Sequence, residues 1–107
     1  RGMSIDVEQG KLRLQNRTGG FSGPALRPIA LRIGWEIAGA VSIPVIAIGG
    51  ISTTRDAIEF MLAGATAVQG GTPNFVDPCA AKKILDGLRV HCEKRGISAA
   101  SLIGAAR

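Results

Sequence analysis

The chain has 107 residues, 46% of them hydrophobic and 20% charged, with a formal net charge of +5. That length supports one small domain with a real core, and no apolar run approaches the roughly 20 residues that a membrane helix needs. The basic residues are scattered, tyrosine is absent and aromatics are few, so the charge reads as solvated surface and not as a nucleic-acid interface. No signal-peptide pattern opens the sequence, which leads us to expect a cytoplasmic protein. The first residue is Arg1 and not methionine, as expected of a fragment.

Ser4–Val7 and Lys11–Leu14 alternate polar and apolar residues around Glu8-Gln9-Gly10, the pattern of a small hairpin with one buried face. Asn16 to Pro28 is dense in glycine and proline and reads as a shaped loop, either a surface connector or a ligand-facing segment. From Pro28 to Val41 the pattern is helical, with Ile29, Ile33, Ile37 and Val41 on one stripe. Gly34 and Gly39 are costly inside a helix and mark close packing against a neighbour.

Ile43–Ile48 then reads as a buried strand of β-branched residues. It ends abruptly in Gly49-Gly50, after which Thr53 or Thr54 caps a second helix. Asp56 and Glu59 suit the dipole of that helix, Ile58, Met61 and Leu62 form its apolar face, and Gly64 takes the C′ place. Ala65–Gln69 is a second short strand, ending near Gly70-Gly71. Thr72 and Pro73 fit N-cap and N1 of a brief turn. A long helix follows from about Pro78 to Arg95, with Ala81, Ile84, Leu85, Leu88 and Cys92 in register, and Ser98–Ala106 reads as a final short helix.

Cys92 falls on an apolar stripe and reads as a buried structural thiol. Cys79 stands at a helix start, where a dipole lowers a thiol pKa, but no histidine lies near it in sequence. His91, the only histidine, reads as a surface residue, and no familiar metal spacing is present.

Strands alternating with helices predict a parallel sheet covered on both faces. Two strands cannot provide that alone, so the chain reads as the C-terminal portion of a (β/α)8 barrel: an α/β fold with a small N-terminal β-hairpin. Such barrels commonly hold phosphate at the loops after their last two strands. Glycines there admit close backbone approach, and the helix N-termini that follow offer free N–H groups and partial positive charge.

The segment Asn16-Arg17-Thr18-Gly19-Gly20-Phe21-Ser22-Gly23-Pro24-Ala25 resembles the corresponding part of class 1B dihydroorotate dehydrogenase catalytic subunits. So do Ile48-Gly49-Gly50-Ile51, Leu62–Gln69, Gly71-Thr72 and Asn74–Pro78. The resemblance spans the whole chain and corresponds to the C-terminal third of that family. It implies an FMN-carrying barrel that oxidises dihydroorotate to orotate in pyrimidine synthesis. Gly23, Gly49, Gly50, Gly71 and Thr72 would contact FMN, the last four mainly around its phosphate.

A homodimer is implied as well, with a partner subunit whose FAD and iron–sulfur cluster pass electrons to NAD. Gly70 and Pro73 depart from the family's usual valine and alanine, which implies weaker or altered FMN binding. The family's catalytic cysteine has no counterpart here, so no catalytic residue is assigned. Two alternatives stay open: a truncated, non-catalytic half-barrel that binds phosphate or a partner, and a flavin barrel of the dihydropyrimidine dehydrogenase type.

Overall fold

The computed structural model describes residues 1–107. Four short strands and four helices follow in the order β1 (Ile5–Asp6), β2 (Lys11–Leu12), α1 (Arg27–Ala40), β3 (Ile46–Ile48), α2 (Thr54–Leu62), β4 (Ala67–Gln69), α3 (Pro73–Val76) and α4 (Ala80–Arg95). Single 3-10 turns lie at Pro24–Leu26 and Ala99–Leu102. β3 and β4 pair in parallel, Ile46 opposite Ala67 and Ile48 opposite Gln69, with α2 as the crossover.

The core lies on one side of this pair. Phe60 and Ile51 are its largest fully buried side chains, packed with Ala47, Ala57 and Ala65. A second cluster of Met61, Cys92 and Leu102 ties α2 to α4 and the C-terminal turn. Phe60 lies outside the apolar face expected for α2; it is an i+3 neighbour of Ala57, and both are buried in the same cluster.

α2 ends as the sequence indicates. Ala63 is its C-cap, and the N–H of Gly64 returns to the Met61 carbonyl. The glycines in α1 also mark approach, since a Cβ on Gly34 would reach Phe60 and one on Gly39 would strike the Arg107 guanidinium. Arg107 in turn donates to the carbonyls of Trp35 and Ala63 and stacks 4.7 Å from the Trp35 ring.

The expected burial of β3 is found for Ala47 alone. Ile46 and Ile48 point to the opposite face and are 66% and 54% exposed. The radius of gyration is 16.6 Å, against about 13 Å for a compact domain of this length. The molecule is thus a slab with one sheet face uncovered, and Ile29, Ile33, Ile37 and Val41 of the α1 stripe are likewise exposed. These residues pattern as core because they are apolar, but no element of this chain packs over them.

Three further expectations are corrected. The hairpin β1–β2 forms in the antiparallel register Ile5 to Leu12, yet Ile5, Val7 and Leu12 are all exposed, because nothing lies beneath it. α4 begins at Ala80, with Cys79 as an exposed N-cap residue, and Ala81 and Leu85 of its predicted stripe are exposed. The expected terminal helix is only the 3-10 turn, capped by the Ser98 hydroxyl on the Ser101 N–H. Small residues there make few contacts able to hold a longer helix.

Candidate functional site

Gly23, Gly49, Gly50, Gly71 and Thr72 converge. They line one cavity of about 270 Å³ at the carboxyl ends of β3 and β4, with Ser22 and Ser52 among its other walls. Three separate loops meet there: 22–26 before α1, 48–52 after β3 and 69–73 after β4. No carboxylate lines it. The backbone N–H groups of Gly23, Gly50, Gly71 and Thr72 donate to no other group of the chain. Unpaired N–H groups on the walls of one cavity, with no carboxylate among them, suit an anion.

The glycines fall into two kinds. Gly49 and Gly50 have φ of +128° and +76°, a region that L-residues with side chains rarely adopt. A Cβ on Gly50 would lie 2.6 Å from the Arg27 nitrogen, and one on Gly49 would lie 2.8 Å from the Ala30 Cβ. These two are therefore required by the packing of the turn onto α1. Gly71 differs, because a Cβ there would meet nothing within 4 Å; Gly23 shares the open surroundings, but its φ of +91° demands glycine as well. They keep the cavity open.

Two expectations about helix ends need correction. Thr72 does not cap α3: its backbone is already helical and its side chain accepts no cap bond. Pro73 does take N1, where its missing N–H would have no intrahelical partner. The N-terminus of α2 is only partly open to a ligand. The Asp56 carboxylate accepts from the N–H groups of Ser52 (3.0 Å) and Thr53 (2.8 Å), while Thr53 Oγ1 accepts from the Asp56 N–H. This capping box occupies the N–H groups of Ser52, Thr53 and Asp56 and leaves those of Thr54 and Arg55 without an acceptor in the chain.

Asp56 also receives a hydrogen bond from Arg27 Nη1 on the first residue of α1, and Glu59 lies 3.7 Å from the same guanidinium. Asp56 is 3% exposed. Burial raises its pKa, but donors from Ser52, Thr53 and Arg27 outweigh this and hold the carboxyl below the ordinary value. A depressed folded-state pKa adds stability above the unfolded value and loses it as pH falls through the folded value. We therefore expect Asp56→Asn to destabilise the protein most at neutral pH. The gap from the native protein should close from about pH 5 downward; thermal unfolding across pH checks this, and a constant gap contradicts it.

The two positions that depart from the resembled family touch each other. A Cβ on Gly70 would lie 3.4 Å from the Pro73 ring, and the Gly70 carbonyl accepts from Asn74 Nδ2 at 2.8 Å. A larger cavity of about 500 Å³ adjoins the first and shares Ser52, Thr72 and Pro73; its one cation, Lys83, is paired with Asp77 at 2.5 Å.

Parallel strands joined by a helical crossover, with a glycine-walled cavity at their carboxyl ends, define an α/β protein. The model of one family, described as dihydroorotate dehydrogenase, matches residues 1–91. The chain belongs to the dihydroorotate dehydrogenase family.

Among similar curated proteins is a dihydroorotate dehydrogenase B (NAD(+)) catalytic subunit from Geotalea uraniireducens, 56% identical over 105 residues. Another, with the same description, comes from Parabacteroides distasonis and is 53% identical over 105 residues. Each alignment covers 97% of this chain and 34% of the relative, so the chain spans about a third of the length of the relatives it matches. A solved structure of dihydroorotate dehydrogenase from Eimeria tenella, in complex with ferulenol, superposes with a TM-score of 0.77 at 27% identity. That match covers 97% of this chain and 29% of the other. No helix is long and apolar enough to cross a membrane.

Proposed function

We propose that this chain forms the FMN phosphate-binding end of a dihydroorotate dehydrogenase catalytic subunit, as the C-terminal portion of a (β/α)8 barrel. The observation that carries this reading is the single cavity shared by Gly23, Gly49, Gly50, Gly71 and Thr72, with unused N–H groups and no carboxylate. The residues present fit a phosphate: N–H groups of the wall residues have no acceptor within the chain, and the open surroundings of Gly23 and Gly71 leave it room. The exposed Ile46–Ile48 face supports the barrel, because a parallel sheet is stable only when both faces are covered.

In the whole enzyme, bound FMN supplies a hydride acceptor for the oxidation of dihydroorotate to orotate. The part of this chain in that reaction is to hold and orient the phosphate end, so that the ring meets the substrate correctly. Gly50, Gly71 and Thr72 would donate N–H groups to the phosphate, and Gly23 would leave room for the cofactor. The base and the substrate-binding side chains would come from other parts of the subunit. The similar proteins are named catalytic subunits, which supports a further subunit in the whole enzyme; we propose a homodimeric catalytic core joined to an electron-transfer subunit carrying FAD and an iron–sulfur cluster.

The test uses the full-length protein that carries this chain. Purified and mixed anaerobically with dihydroorotate, it should hold FMN and lose the absorbance of oxidised flavin. Retained FMN with no bleaching by dihydroorotate, but bleaching by another reduced pyrimidine, would move the reading to a different substrate. Absence of bound flavin would end it.

A further inference from the structure

Beyond the cavity walls, one buried charge joins two of the three loops that form them. Asp56 lies in α2 and Arg27 opens α1, 29 residues apart. The Asp56 carboxylate holds the N–H groups of Ser52 and Thr53, just after the glycine turn. Its other oxygen receives the Arg27 guanidinium. The Arg27 backbone lies against Gly50, so close that a Cβ there would sit 2.6 Å from the Arg27 nitrogen. Arg27 thus presses on the turn with its main chain and reaches around it with its side chain. The cavity residues Leu26 and Ser52 flank these two anchor points.

We propose that Asp56 and Arg27 are a positioning pair for the phosphate cavity, locking the loop before α1 to the glycine turn after β3. The inference rests on the flavin-phosphate reading above. Neither residue lines the cavity, so both act through the backbone they hold. A cavity walled by N–H groups depends on the spacing of its walls, and a small shift weakens several donors together.

The experiment compares FMN and riboflavin, which differ only in the phosphate, by fluorescence titration of the full-length apoprotein. Asp56→Asn and Arg27→Met should weaken FMN roughly tenfold while riboflavin changes by less than about twofold, the size expected when a supporting residue is lost. Arg27→Lys should recover most of the FMN affinity. Leu102→Ala, which damages the separate cluster with Met61 and Cys92, serves as a stability control and should leave the FMN-to-riboflavin ratio unchanged.

Equal weakening of both ligands, or a ratio that falls alike in Leu102→Ala, overturns the proposal; so does an unchanged ratio in the pair variants. Arg27 is 37% exposed, so Arg27→Met decides the matter even if Asp56→Asn does not fold. A native protein that binds riboflavin as tightly as FMN refutes the phosphate reading itself, an outcome separate from these.

Discussion

Gly50→Val should destabilise the protein by about 3 to 5 kcal/mol and abolish FMN binding with it. The φ of +76° at Gly50 is strained for any side chain and worst for a β-branched one. The new Cβ would also press on the Arg27 main chain, 2.6 Å from its nitrogen. That neighbour is helix backbone and cannot swing aside as a side-chain tip can. Either the turn after β3 or the first turn of α1 must move, and the two hold neighbouring walls of the cavity. Thermal melts and flavin content of the full-length variant measure both effects. A Gly50→Val variant that melts with the native protein would show that the turn is not pinned to α1.

Gly71→Asp should do the reverse, leaving the fold intact and removing the ligand. The added Cβ meets nothing within 4 Å, so stability should change by no more than about 0.5 kcal/mol. A carboxylate beside a phosphate is another matter. Two like charges about 4 Å apart at an effective dielectric near 20 repel by about 4 kcal/mol. Affinity for FMN should therefore fall more than about 100-fold. Gly71→Asn supplies similar bulk without the charge and should lose far less. Titration with FMN beside a melting curve checks both; tight FMN binding by Gly71→Asp would place the phosphate elsewhere.

These two glycines share one sequence signal, an apolar strand ending in a glycine pair, and the structure separates their reasons. One is demanded by the backbone and the neighbouring helix, the other by open space. Sequence could not part them, because φ and the distance to α1 are set by tertiary packing. The strand–helix order, the Thr53 cap, the Gly64 terminator and the buried Cys92 were legible, since each depends on local pattern.

What stayed hidden was longer in range. Asp56 reads as a helix-dipole carboxylate, and its bond to Arg27 spans 29 residues. The capping box at the α2 N-terminus was half-visible in the Thr53-x-x-Asp56 spacing. The exposed Ile46, Ile48 and α1 stripe show the converse limit. Apolar pattern reports that a face wants cover, and only the fold reports which chain covers it.

Whether the two glycine-ended strands hold a flavin phosphate is tested most directly by a crystal structure of the full-length protein with FMN bound. The phosphate should lie in the cavity lined by Gly23, Gly50, Gly71 and Thr72, accepting hydrogen bonds from the N–H groups of Gly50, Gly71 and Thr72. A phosphate held outside that cavity, with these N–H groups facing solvent, would contradict the assignment.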